Sequence, residues 1–281
     1  MPMLERPDGP ALHYEVDDFT DPWKDAPYVI LQHGYGRSGR FWYGWVTYLS
    51  RFYKVVRPDL RGLGASSADF DVAKQSTLEA YIADLVAIVD ALGAESVHFC
   101  GESMGGQLGI ALAALHPRRV RTLTIVSTPV VMTKKMEDDY SLGRESRFDA
   151  MQAMGRDAWI EATNRSTRFP PGTDEGLLDW YKKEFAKSRP EMQVAMSKAM
   201  YAADLAQLLP RIETPVLALY PQGGPRTGPE QEEILRRDVR RLSLVHLPSA
   251  FHKIQLTHTA ACARHLLHFM AQHDGRVCSE P

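Results

Sequence analysis

A serine between two glycines is the feature of this chain whose residue types point most directly to chemistry. Residues 101–105 read Gly-Glu-Ser-Met-Gly, after an apolar run at 97–100 and before a helix-forming run at 107–115. A strand, G-x-S-x-G and a helix together are typical of a nucleophile elbow, in which the serine hydroxyl is exposed at the end of a strand. Gly101 and Gly105 leave the space that so tight a turn requires. The pattern predicts Ser103 as a nucleophile, with a non-catalytic glycine turn as the alternative.

A serine hydroxyl is a weak nucleophile by itself, so the site needs a base. In chains with such an elbow the usual order is serine, acid, histidine. His252 fits this order, because it follows the predicted strand 242–247 and a turn, and precedes the predicted final helix 257–271. His246 falls within the strand pattern, and four further histidines, at 258, 265, 268 and 273, lie on the final helix or just after its predicted end. We therefore predict His252 as the base, with a helix-capping histidine as the alternative.

Acyl transfer also needs two backbone N–H groups placed where negative charge develops. The residue after the nucleophile, Met104, supplies one of them at the positive end of a helix. The second is expected from the loop 33–36, His-Gly-Tyr-Gly, which follows the predicted strand 28–32. The Tyr35 amide is therefore the predicted second donor of an oxyanion hole.

The same loop also fits a different chemistry. Gly34, Gly36 and Gly39 form G-x-G-x-x-G between a strand and a helix, and Asp59 follows 20 residues after the last glycine. That spacing is typical of a dinucleotide-binding turn. Bulky Tyr35 and Arg37 stand near where a pyrophosphate would lie, so we favour the oxyanion loop.

The acid of a catalytic triad is not evident. It is expected just after the predicted strand 216–220, where residues 221–228 read Pro-Gln-Gly-Gly-Pro-Arg-Thr-Gly. The first carboxylate beyond is Glu230, which would reach His252 only if the loop folded back. A carbonyl, a water molecule or Gln222 are the other candidates to orient His252. Loss of the acid from a working triad lowers turnover by orders of magnitude but leaves residual catalysis.

Bulk properties narrow the class of protein. The chain has 281 residues, is 44% hydrophobic and 24% charged, and carries a net charge of −2. These values favour one large domain with a real core, and they disfavour a nucleic-acid or membrane-surface partner. We expect a small-molecule substrate, no cofactor and no metal, and we leave homo-oligomerisation open. The N-terminal residues lack an apolar stretch and the three cysteines are far apart, so we expect a cytoplasmic protein.

Predicted strands alternate with predicted helices, which indicates a mostly parallel sheet with helices on both faces. The rhythm breaks between about residues 130 and 210, a polar, methionine-rich stretch with helical patches at 147–154, 177–186 and 192–209. We predict an α/β core of residues 1–129 and 211–281 with an inserted helical cap of residues 130–210. Tyr35 is expected to line a pocket with cap residues, and three arginines are candidates to bind a substrate carboxylate. The cap residues are Trp159, Phe169 and Trp180, and the arginines are Arg37, Arg165 and Arg168.

Five segments together resemble the α/β-hydrolase superfamily over nearly the whole chain. They are residues 33–36, 59–66, 101–106, 214–217 and 247–252. The helical insertion and the Ser-Met-Gly-Gly elbow are most similar to the branch of 3-oxoadipate enol-lactonases, C–C hydrolases and small carboxylesterases. The resemblance implies a catalytic Ser103 and His252 with Tyr35 and Met104 as oxyanion donors. The family's usual aspartate falls near Gly223 and Gly224 here, which is a departure.

The resulting hypothesis is a serine hydrolase that acts on an ester, a lactone or an activated C–C bond of a small carbonyl compound. Two alternatives stay open. One is a non-hydrolytic enzyme on the same scaffold, such as a lyase or a cofactor-free oxygenase, with His252 as its base. The other is a ligand-binding protein whose site has become a pocket.

Overall fold

A central sheet organises the molecule. The computed structural model describes residues 3–224 and 226–279. Within them the strands form one eight-stranded sheet in the order β1-β2-β4-β3-β5-β6-β7-β8. Strand β2 pairs antiparallel with both of its neighbours, β1 and β4, and the remaining neighbours pair parallel. The strands are β1 Met3–Leu4, β2 Leu12–Asp17, β3 Tyr28–Gln32, β4 Lys54–Pro58, β5 Val97–Glu102, β6 Val120–Val126, β7 Val216–Pro221 and β8 Leu242–Leu247.

The α-helices of the described residues fall into three groups along the chain. Those before β6 are α1 Tyr43–Leu49, α2 Val72–Gln75, α3 Leu78–Ala91 and α4 Met104–Leu115. Those between β6 and β7 are α5 Lys134–Ser141, α6 Arg147–Met154, α7 Arg156–Thr163, α8 Glu175–Phe185 and α9 Pro190–Ala202. Those after β7 are α10 Pro229–Asp238, α11 Ile254–Thr257 and α12 Thr259–Asp274. A π-helical turn, Asn164–Arg168, follows α7.

Each face of the sheet buries an apolar core. Central strands such as β7 are buried at every position, as expected for parallel strands covered on both sides. Helices α3 and α4 pack on one face, and α1 and α12 pack on the other. This arrangement is the predicted α/β-hydrolase architecture, a mostly parallel sheet flanked by helices.

A third apolar cluster lies among the helices between β6 and β7. Trp159, Phe169, Tyr181 and Phe185 are buried there and pack against Phe41. The division into a core and a cap at residues 130 and 210 stays a prediction, but no strand interrupts this helical segment among its described residues. Its helices cover the ends of the strands that carry the candidate site.

Several element bounds differ from the sequence-based prediction. The predicted helix 192–209 is two elements, because α9 ends at Ala202 and a 3₁₀ helix covers Ala206–Arg211. Helices α5, α7 and α10 were not predicted; α5 and α10 are highly polar and lack a long apolar stripe. Across residues 3–224 and 226–279, no helix is both long and apolar enough to cross a membrane.

Candidate active site

Ser103 stands at a strained turn between β5 and α4. Its backbone angles are φ 55° and ψ −119°, a conformation that L-residues rarely adopt. The Ser103 N–H donates to the Val126 carbonyl at 2.9 Å, which ties the turn to β6. A side chain at Gly105 would collide with the carbonyl oxygens of Gln32 and His33, and one at Gly101 would collide with the Gly105 backbone. The two glycines therefore allow the turn that exposes the serine, as the motif predicts.

His252 reaches the serine from the loop after β8. Its Nε2 lies 3.2 Å from Ser103 Oγ, across 149 residues of sequence. The His252 N–H donates to the Thr167 carbonyl at 3.1 Å, and the Lys253 N–H donates to the Arg168 carbonyl at 3.0 Å. These two bonds fix the histidine loop to the π-helical turn after α7. The structure thus brings together the predicted nucleophile and the predicted base.

The other ring nitrogen of His252 lacks the partner that a triad acid would be. Its Nδ1 is buried and has no hydrogen-bond partner among the described residues. Glu230, the weak candidate from the sequence, is exposed in the first turn of α10, and Gln222 is exposed as well. Neither residue therefore orients the histidine in this structure.

A buried carboxylate does lie beside the pair, on the serine side of the ring. Glu102 Oε1 is 3.4 Å from His252 Nε2 and 2.6 Å from Lys253 Nζ. Its Oε2 accepts from the Arg37 guanidinium. Glu102, Lys253 and Arg37 are each buried. Sequence reasoning missed this cluster, although Glu102 stands inside the elbow motif and Lys253 directly follows the predicted base.

Hydrogen bonds of the His33 ring hold the loop that carries Tyr35. The Leu60 N–H donates to His33 Nε2 at 3.1 Å, so His33 Nδ1, 2.8 Å from the Gly34 carbonyl, bears the proton. Burial lowers the pKa of His33 to about 4, which keeps the ring neutral. Tyr35 and Met104, the predicted oxyanion donors, both line a small cavity that also contains Ser103.

Two small cavities of about 50 and 40 Å³ meet at Ser103. Their walls share Tyr35, Ser103, Arg147 and Arg226. The aromatic lining differs from the prediction, because Trp159 and Phe169 point into the third apolar cluster and Trp180 borders a separate groove. The aromatic residues that line the larger of the two cavities are Tyr35, Tyr140, Tyr181 and Phe185.

The arginine predictions divide in the same way. Arg37 and Arg168, two of the candidates to bind a substrate carboxylate, line the cavity, whereas Arg165 is exposed and pairs with Glu175 at 3.0 Å. Two cavity arginines were missed, Arg147 and Arg226. Arg226 had a signal in the sequence, since it stands in the loop after β7 where a carboxylate was expected.

Positive charge dominates this site. Burial, followed by Lys253, Arg226, Arg37 and Arg168, holds the pKa of His252 well below its usual value of 6.5. Burial alone would raise the pKa of Tyr140, but Arg226 and Arg168 beside it lower that pKa instead. The base is therefore a neutral imidazole at neutral pH, and an imidazolium here is opposed by its neighbours.

Asp59, the acidic residue of the dinucleotide-binding alternative, is hydrogen-bonded within the protein. Asp59 is buried and accepts from the Gly39 and Ala65 amides at 2.7 and 2.9 Å. His13 Nδ1 lies 2.9 Å from the same carboxylate. A side chain at Gly39 would collide with the Arg57 carbonyl, so that glycine allows close backbone packing. The Asp59 carboxylate therefore holds this loop in place, and it is not placed to bind the ribose of a dinucleotide.

Fold and elbow together define a class. Residues 27–156 match the family model of the α/β-hydrolase fold. The fold, this match and the relatives together indicate a protein of the α/β-hydrolase fold, and they support a hydrolase.

Individual relatives and solved structures show which hydrolases the chain is similar to. The chain is 28% identical to a proposed carbamate hydrolase of Agrobacterium fabrum over 54% of this chain and 55% of that protein. It is 26% identical to 3-oxoadipate enol-lactonase 1 of Acinetobacter baylyi over 77% of this chain and 79% of that protein. The crystal structure of an enol-lactonase from Burkholderia xenovorans superimposes with a TM-score of 0.82 at 26% identity, over 96% of this chain and all of that one. The chain is thus similar to the enol-lactonase branch that its elbow and insertion resemble.

Proposed function

We propose that the chain is a serine hydrolase that cleaves an ester or lactone of a small carbonyl compound. The observation that carries the proposal is the 3.2 Å contact between His252 Nε2 and Ser103 Oγ at the strained elbow. The two cavities at Ser103, about 50 and 40 Å³, suit an acyl group of a few heavy atoms. The names of the enol-lactonase relatives support the same reaction class.

The reaction begins with Ser103 Oγ attacking the substrate carbonyl while His252 Nε2 accepts the serine proton. The Met104 and Tyr35 amides donate to the oxyanion of the tetrahedral intermediate. His252 then gives the proton to the leaving oxygen, and the C–O bond breaks to leave an acyl-serine. Water, deprotonated by His252, releases the acid and restores Ser103.

A burst experiment tests this role. With p-nitrophenyl acetate, rapid mixing is expected to release about one equivalent of p-nitrophenol per site before the slower steady state, because acylation precedes hydrolysis. Ser103→Ala removes the burst, since no acyl-serine can form. Thr47→Ala, on an exposed side chain outside the site, is the matched control and keeps it. If the wild-type protein turned over no short ester, the serine hydrolase would be ruled out, and a lyase or a binding protein would be favoured.

A further inference from the structure

The cavity holds more positive charge than its own carboxylates neutralise. Five basic side chains line the wall next to Ser103. Arg37 and Lys253 pair with Glu102, and Arg147 pairs with Glu137 at 2.7 Å. Among residues 3–224 and 226–279, neither of the other two, Arg168 and Arg226, has a carboxylate partner. Two guanidinium groups of the site thus lack a carboxylate partner among the described residues.

Arg168 is buried among neutral groups. Its guanidinium donates to the Ile160 carbonyl at 3.4 Å and to Asn164 Oδ1 at 3.2 Å, and also to Thr163 Oγ1. The same group lies 5.0 to 5.7 Å from the ring centroids of Trp159, Tyr140, Phe185 and Tyr181. Aromatic faces stabilise a cation only partly, and buried charges are normally paired.

Arg226 also lies against the Tyr140 ring. Its Cζ lies 4.2 Å from the Tyr140 ring centroid, and its Nη2 donates to the Met136 carbonyl at 3.4 Å. Arg226 borders both cavities, and Arg168 borders the one that holds His252. Both guanidinium groups therefore lie close to one tyrosine at the wall of the cavity.

The reaction adds a further positive charge to this site. When His252 takes the serine proton it becomes an imidazolium, which a triad acid would normally stabilise. Glu102 does not fill that role, because its carboxylate lies beside Nε2 and leaves Nδ1 without a partner. The charged and titratable groups around His252 are Tyr35, Arg37, Glu102, Tyr140, Arg147, Arg168, Tyr181, Arg226 and Lys253.

We propose that the substrate carries a carboxylate that binds Arg168 and Arg226, and that this carboxylate supplies His252 with the negative charge that a triad acid would supply. The proposal rests on the proposed serine hydrolysis and names its substrate class, an ester or lactone with an acidic group on the acyl side. The carboxylate is unchanged by the reaction. It stays ionised while the proton moves from Ser103 Oγ to His252 Nε2 and on to the leaving oxygen.

A carboxylate fits better than a larger anion. A guanidinium binds a planar carboxylate through two parallel N–H groups. The cavity beside Arg168 and Arg226 has a volume of about 50 Å³, which leaves little space beyond a carboxylate and a short spacer. Binding that neutralises the two arginines also raises the affinity of His252 for a proton at the step where it must act as a base.

The test compares two matched esters, neutral p-nitrophenyl butyrate and the monoanionic p-nitrophenyl ester of succinic acid. We expect kcat, and not only kcat/KM, to be higher for the succinate ester by roughly tenfold or more, the effect of about 1.4 kcal/mol. A second measurement needs no variant. Free acetate at tens of millimolar is expected to raise the turnover of the neutral acetate ester, because it occupies the same two arginines.

Variants locate the effect. Arg168→Gln and Arg226→Gln are expected to bring the succinate-to-butyrate ratio of kcat towards one and to abolish the acetate activation. Arg165→Gln, which removes an exposed arginine of the same helical segment, keeps both. Circular dichroism spectra establish that each variant is folded before the ratios are compared.

The outcomes separate the two proposals. No burst with either ester overturns the serine hydrolysis itself. A burst with equal kcat for both esters, or acetate that only inhibits competitively, leaves the hydrolase standing and overturns the charge-supplying carboxylate. A higher kcat that persists in both arginine variants overturns the assignment to Arg168 and Arg226.

Discussion

At the scale of single residues, the base of this site is unusual because of what surrounds it. His252 has a serine hydroxyl at one ring nitrogen, and no partner among the described residues at the other. Burial and four nearby cations lower its pKa. An unprotonated imidazole is therefore available at a lower pH than in a solvent-exposed histidine.

This arrangement predicts the acidic limb of the pH profile. A base works only while unprotonated, so a pKa below 6.5 means that kcat/KM for a neutral ester keeps its plateau at pH 6.5 and falls only at lower pH. Arg226→Gln removes one of the cations and shifts the limb to higher pH, whereas Arg165→Gln does not shift it. Profiles of kcat/KM between pH 4 and 8 measure the shift. A wild-type limb at or above pH 6.5 would contradict this interpretation.

At the scale of elements, one ion pair joins three helices of the inserted segment. Glu137 on α5 accepts from Arg147 on α6 at 2.7 Å and from the Tyr201 hydroxyl on α9. The bond keeps the Arg147 guanidinium 5.5 Å from the Tyr35 ring centroid at the cavity wall. Packing of these helices and the shape of the site therefore depend on the same carboxylate.

Stability should follow the titration of Glu137. Burial alone would raise the pKa of this carboxyl, but Arg147 outweighs that effect and lowers it to about 2. A lowered pKa stabilises the fold above the unfolded value, near 4.5, and the contribution is lost as the pH falls through about 2. Glu137→Gln is expected to lower Tm at pH 7 by about 2–4 °C, the effect of about 1 kcal/mol in a chain of this size.

Thermal unfolding at several pH values checks the expectation. The difference in Tm between wild type and Glu137→Gln should shrink as the pH is lowered from 4.5 towards 2. Glu175→Gln removes an exposed partner of Arg165 and serves as the control without such a trend. A difference that stays constant with pH would assign the loss to packing and not to the charge.

At the scale of the whole molecule, the charge of the site and the charge of the chain have opposite signs. The chain carries a net charge of −2, yet five basic side chains line the cavity next to Ser103. The attraction for an anionic substrate is therefore local, and screening by salt acts over about 8 Å at physiological ionic strength.

Salt should consequently distinguish substrates. Raising NaCl from about 0.05 to about 0.5 M is expected to increase KM severalfold for the p-nitrophenyl ester of succinic acid, because the ions screen the arginines and chloride competes for them. The KM of p-nitrophenyl butyrate should change by less than about twofold, since it carries no charge. Steady-state kinetics with both esters measure the two responses, and an equal rise for both would indicate a general effect on the fold.

Much of the scaffold could be predicted because its signals are local. Strand β8 and helix α6 have the bounds that the sequence indicates. In α6, Ser146 caps the first turn and Gly155 ends the helix. Helices α5 and α10 escaped prediction because they are mostly charged, and contacts with the rest of the fold hold them in place. The break between α9 and the following 3₁₀ helix was missed for a related reason, because packing ended a periodicity that the sequence continues.

The sequence by itself determined the elbow at Ser103, the histidine after the last strand and the α/β architecture. Glycine spacing and the alternation of strands and helices are properties of short segments, so both can be recognised in a single sequence. Only the tertiary structure decided the electrostatics of the site. Arg147, Arg168, Arg226 and Lys253 come from separate stretches of the chain, and they meet because the inserted helices fold over the ends of the strands. Coulomb energy depends on distance in space, which the sequence does not state.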